Sequence, residues 1–98
     1  MHVLTVENDP IVADVIGMTL EEAGHFKTAA NTIEIALSEL KHNRIEAILL
    51  DLNLPDGDGT RLARFVRKNH ILVPILVISG NSGIDENLPR LALAPMVI

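Results

Sequence analysis

Two short stretches, Ala47-Ile48-Leu49-Leu50 and Ile75-Leu76-Val77-Ile78, are apolar at every position, with no polar residue in alternation. A strand with one wet face alternates, so strands like these belong to a sheet covered on both sides, as parallel sheets flanked by helices are. Between such strands the chain must cross over, and helical spacing appears in the right places. Asp9 followed by Pro10 starts a helix, since the aspartate can cap free N–H groups and proline suits the first helical position. Val12, Val15, Ile16, Thr19, Leu20 and Ala23 then fall at three- and four-residue steps, one helix face, and Gly24 can end it in the left-handed conformation.

The other segments complete an alternation. His2–Val6 is an apolar run ending in acids, and Phe26–Ala30, with Lys27 and Thr28 interleaved, reads as an edge strand. Asn31, three residues before Glu34, resembles a capping box. Ile33, Ala36, Leu37 and Leu40 form a second helical stripe, and Leu62, Phe65 and Val66 mark a third helix starting near Gly59. Strand–helix alternation of this kind predicts an α/β fold with right-handed crossovers. With two central strands and one edge strand, it fits a doubly wound, flavodoxin-like parallel sheet of order 2-1-3-4-5, whose ligands bind beyond the carboxyl ends of the strands. Residues 85–93 read as a short fourth helix interrupted at Pro89, and residues 96–98 as the start of a fifth strand. No helix follows to cover that strand. The expectation is one domain over residues 1–98, cut short at its C-terminus.

Composition removes several function classes. The 98 residues suit a single domain, and the absence of cysteine rules out disulfides, zinc–thiolate clusters and thiol chemistry. A net charge of −5 and only two aromatic residues, Phe26 and Phe65, argue against a nucleic-acid surface. Arg61, Arg64, Arg67 and Lys68 fall at the spacing of a solvated helix face. With no membrane-length apolar run and no signal-peptide pattern at the N-terminus, the sequence predicts a cytoplasmic domain with no membrane contact.

Candidate chemistry lies where strands end. Val6 is followed by Glu7-Asn8-Asp9, Leu50 by Asp51 and Ile78 by Ser79. In a parallel sheet these ends share one edge, so the side chains converge on one crevice. Each has a plainer reading: Asp51 as a cap or turn former, Ser79 as a turn serine, Glu7 as a solvated acid. Caps, however, need not coincide at one edge. Carboxylates gathered there repel one another unless a hard divalent cation joins them, and Mg²⁺ is the usual choice beside phosphate.

The segments Val6-Glu7-Asn8-Asp9-Pro10, Leu49-Leu50-Asp51-Leu52-Asn53-Leu54-Pro55-Asp56-Gly57-Asp58-Gly59 and Val73-Pro74-Ile75-Leu76-Val77-Ile78-Ser79-Gly80 resemble the signature segments of response regulator receiver domains, in order, over about residues 2–80. The resemblance implies a two-component signalling switch, not a turnover enzyme. In it Asp51 attacks a histidine kinase's phosphohistidine and becomes an aspartyl phosphate. It further implies that Glu7, Asn8, Asp51 and the Asn53 carbonyl hold Mg²⁺. Ser79 then turns its hydroxyl to the phosphoryl oxygens, Gly80 leaves room for them, and Pro55, Gly57 and Gly59 shape the loop. The implied partner is a histidine kinase or phosphotransfer protein, and a homodimer is a further candidate. There are three departures. Asn8 stands where the family carries an Asp, which implies weaker metal binding. The family's phosphate-pairing Lys, after its fifth strand, is absent, and so is the aromatic residue that moves with the switch, for which Met96 is the nearest substitute. The sequence therefore predicts a longer native chain, with Lys-Pro and an amphipathic helix beyond Ile98.

Three alternatives bear on these residues. An aspartyl-phosphate hydrolase would carry a second Asp where Asn53 stands, and would need a cap domain. An EF-hand loop fails at its sixth and twelfth positions, Asp56 and Leu62. A phosphorylation-independent interaction module of the same fold is favoured by Asn8 and the missing Lys, and opposed by Asp51 and Ser79.

Overall fold

In the computed structural model, which describes residues 1–51, 53–55 and 57–78, the apolar runs lie at the centre of a four-stranded parallel sheet. Strand β1 (His2–Val6) pairs on one side with β2 (Phe26–Ala30) and on the other with β3 (Ala47–Asp51). A two-stranded antiparallel hairpin follows, β4 (Asn53–Leu54) with β5 (Gly57–Asp58). Strand β6 (Ile75–Ile78) closes the main sheet against β3, giving the order β2-β1-β3-β6. This is the 2-1-3-4 part of a flavodoxin-like sheet, with β2 at the edge as expected. The expected fifth strand and the helix at 85–93 lie outside the described residues, and the hairpin was read from sequence only as loop.

Three helices make the crossovers: α1 (Pro10–Glu22), α2 (Ile33–His42) and α3 (Thr60–Lys68). The main core forms on one sheet face. There Leu4, Val6, Ile48, Leu50 and Ile75 meet Ile33 and Ala36 of α2 and Leu62, Ala63 and Val66 of α3. Helix α1 adds nothing to that cluster and covers the opposite face. At about 1.5–3 kcal/mol for each large aliphatic side chain buried, this cluster is the main source of stability.

Caps explain where the helices begin. The Asp9 carboxylate accepts from the Ile11 N–H at 2.9 Å and the Val12 N–H at 3.4 Å, as the sequence predicts. Helix α2 is a correction: its cap is Thr32, not Asn31. Thr32 is extended, with φ −141 and ψ 161, and its hydroxyl accepts from the Ile35 N–H at 3.1 Å. The helix starts one residue later than the Asn31–Glu34 spacing suggests. Gly24, at φ 86, ends α1 as expected.

The face of α1 also differs from expectation. Val12, Ile16 and Leu20 are half-buried, but Val15, Thr19 and Ala23 are exposed. The close approach to β2 is made at Gly17, which is buried beneath the Lys27 side chain and so turns the helix away from the expected stripe. On α3, Arg61, Arg64 and Lys68 are solvated as expected. Arg67 is not: its guanidinium donates to the carbonyls of Ile71 and Val73, both at 3.1 Å. It thereby holds the turn that feeds β6, in which His70 adopts φ 56.

Ile48, fully buried on the central strand, should lose about 2–5 kcal/mol of stability on change to Ala. Ile11→Ala, at a position 74% exposed, should stay within about 0.5 kcal/mol. Urea unfolding of the two variants checks both.

Candidate functional site

The site is set by strand register. Val6 of β1 lies beside Leu50 of β3, so the next residues along, Glu7 and Asp51, meet at the carboxyl edge. Asp51 lies beside Ile78 of β6, the residue before Ser79. Glu7 is tied to β2 by its N–H, which donates to the Ala30 carbonyl at 3.0 Å.

Glu7 is only 8% exposed, unusual for a carboxylate. One of its oxygens accepts from the backbone N–H of Asn8 at 2.8 Å and of Asp9 at 3.3 Å. The carboxyl also hydrogen-bonds Asp51. Burial, and next the contact with Asp51, push its pKa up from 4.5 to about 7, against the two backbone donors, which favour the charged form. Two carboxyl groups in hydrogen-bond contact need a proton between them or a cation beside them. The cation alternative suits the donors present: Glu7 and Asp51 carboxylates, the Asn8 amide oxygen and the Asn53 carbonyl are all hard oxygen ligands. Among the described residues no three His, Cys, Asp or Glu side chains gather at one point. Glu7 and Asp51 are the two carboxyl groups brought together here.

The loop residues take different parts. Gly57 needs glycine: its φ of 145 is strained for other residues, and an added Cβ would stand 3.4 Å from Ile33 Cδ1. Gly59 is buried with a right-handed φ of −57, and its carbonyl accepts from Leu62 and Ala63 to begin α3. Pro55 is exposed at the hairpin turn. Asn8 is exposed, and Asn53 opens β4 opposite Asp58. Ser79 and Gly80 lie outside the described residues. The sequence did not single out Asp14 and read Asn31 only as a helix cap, yet both line a groove beside Glu7. Their separation along the chain hides this, since they meet only where α1 packs beside the β1–β2 pair.

A family model, the response regulator receiver domain, matches residues 3–92. This chain belongs to that family. It is also similar to the cell cycle response regulator CtrA of Brucella ovis, at 33% identity over 88 residues, covering 90% of this chain and 38% of the relative. The receiver thus spans little more than a third of that relative's length. Among solved structures it resembles the MaeR response regulator bound to beryllium trifluoride, with TM-score 0.78 and 30% identity over 84% of this chain and 69% of that one. It also resembles the receiver domain of the Francisella response regulator 1452, with TM-score 0.77 and 28% identity over 87% and 70%. Its fold and family are therefore those of a two-component signalling domain. None of the described helices is long and apolar enough to cross a membrane.

A raised carboxyl pKa has a definite consequence for stability. Between pH 4.5, the ordinary value, and about 7 the folded receiver holds a proton that the unfolded chain has released. Stability from this group is full below pH 4.5 and is lost as pH rises through about 7. In chelator, urea unfolding should show lower stability at pH 8 than at pH 5, and Glu7→Gln, which cannot ionise, should flatten the difference.

Proposed function

We propose that this receiver takes a phosphoryl group onto Asp51 from a histidine kinase or phosphotransfer protein of the bacterial cytoplasm, in a Mg²⁺-dependent reaction that switches its surface. The observation that carries the reading is the contact of buried Glu7 with Asp51 at the sheet edge, where the fold places ligands. One Asp51 oxygen attacks phosphorus in line, the phosphorus–nitrogen bond breaks, and the leaving imidazole keeps the electron pair. Little covalent chemistry is asked of the protein, so positioning dominates. Register against β1 and β6 fixes the Asp51 backbone, and the hairpin after it opens with the Asn53 carbonyl. Glu7, Asn8, Asp51 and Asn53 are the residues we assign to Mg²⁺, which when bound supplies positive charge against the carboxylates and the incoming phosphoryl oxygens. The Ser79 hydroxyl is assigned to hydrogen-bond those oxygens, Gly80 to leave them space, and Pro55 and Gly59 to shape the loop. Support comes from MaeR, which at 30% identity holds beryllium trifluoride, an anion of phosphoryl-like size and charge.

The phosphodonor has a surface to dock on. Ile11, Val15 and Met18 are 74%, 58% and 60% exposed and recur at four and three residues along α1, the seam spacing of a helix–helix contact. The row begins two residues after the Asp9 cap. Asp14 flanks it with negative charge, which disfavours pairing with a second copy and favours a helix with a basic flank.

Asn8 is the observation that favours the rival reading, an interaction module working without phosphorylation. Acetyl phosphate and Mg²⁺ separate the two. By intact mass the receiver should gain one phosphoryl group and Asp51→Asn none; equal gain in that variant excludes Asp51, and no gain in the parent supports the rival. Asn8→Asp restores a charged ligand and should tighten Mg²⁺ by up to about tenfold, or roughly 1.4 kcal/mol. Unchanged affinity in a Mg²⁺ titration removes Asn8 from the ligand set.

A further inference from the structure

Helix α1 and strand β2 meet along a seam that is filled in one half and open in the other. In the filled half the Lys27 side chain lies across Gly17: a Cβ on that glycine would collide with the lysine ammonium and stand 2.9 Å from its Cδ. The stem covers the helix backbone, and the ammonium reaches the Glu21 carboxylate at 3.2 Å. This is a lysine laid along a small-residue notch with its charge delivered to an acid at the far end.

The same notch recurs one step further along. Two residues on a strand span about 6.6 Å and four on a helix about 6 Å, and a crossover helix runs antiparallel to its strands. The step toward the carboxyl edge therefore leads from Lys27 to Ala29 on β2 and from Gly17 to Ala13 on α1. At that level the seam holds no lysine. It holds a groove of about 360 Å³, lined among others by Ala13, Ala29, Asp14, Glu7, Asn8 and Asn31. Among the described residues no basic one lines it, and its lining brings acids and amides together with alanines.

We propose that this groove is a docking site for a basic side chain of a partner protein, a lysine or arginine laid over Ala13 and Ala29 as Lys27 lies over Gly17. Glu7 is engaged with Asp51 and with the N–H groups of Asn8 and Asp9, so the exposed Asp14 carboxylate receives the cationic head. Asp14 also flanks the row Ile11, Val15 and Met18, and a helix docked on that row would carry such a side chain into the groove. The site is independent of phosphorylation and is read on the unmodified chain, so its failure leaves the assignment of Asp51 untouched.

The test is an NMR titration of the whole chain carrying ¹³C-methyl alanine, with Nα-acetyl-lysine methylamide as the probe and the norleucine analogue as its uncharged control. Saturable shifts of the Ala13 and Ala29 methyls with the lysine probe and none with norleucine support the site. Asp14→Asn should weaken the response roughly two- to fivefold, the range that an exposed ion pair of under about 1 kcal/mol provides. Ala29→Lys, at an exposed edge-strand position, installs the missing lysine. It should shift the Ala13 methyl with nothing added and abolish the response to the probe. No saturable shift, an equal response to norleucine, or full probe binding in Ala29→Lys overturns the proposal.

Discussion

The contact between the Glu7 and Asp51 carboxyl groups follows from one constraint, the parallel pairing of β1 with β3 that sets Val6 beside Leu50. A slip of one residue would turn every side chain of β3 to the other face. Leu50 would leave the core, and Asp51 would leave Glu7. Core and site are thus specified by the same register, and the fully buried Leu4, Ile48 and Leu50 that fix it hold two acids together that would otherwise separate in water.

That arrangement has an electrostatic cost, visible in the upward shift of the Glu7 pKa. Burial is the largest single cause and the contact with Asp51 adds to it, while backbone N–H groups of the β1–α1 turn offset part. The turn is in turn fixed by Asp9, whose carboxylate caps α1. A single run, Glu7-Asn8-Asp9, therefore supplies a buried acid, an exposed amide and a helix cap. Asp9 is committed to that cap, its carboxylate accepting from the Ile11 and Val12 N–H groups.

Much of this was legible in the sequence, because unalternated apolar runs and an Asp-Pro helix start have few physical interpretations. The sheet order, the edge strand, the Asp9 cap and the meeting of Glu7 with Asp51 were all readable on those grounds. What escaped depends on tertiary detail. Thr32 displaces Asn31 as cap by one residue, since capping-box spacing does not fix the first helical residue. Val15 was read as core because periodicity does not tell which side of a helix a close contact such as Gly17–Lys27 will draw inward. Arg67 was read as solvated, although it closes the turn before β6. The groove beside Glu7 was not read, because it depends on which residues of α1 face the β1–β2 pair.

Where the phosphoryl group goes decides whether Asp51 is the acceptor. Treating the acetyl-phosphate-labelled receiver with borohydride reduces an acyl phosphate to an alcohol, and peptide mass spectrometry then locates the reduced residue. Reduction is expected at position 51 alone, dependent on Mg²⁺ during labelling. Reduction at Glu7 or another acid, or at position 51 to the same extent without a divalent cation, would contradict that expectation.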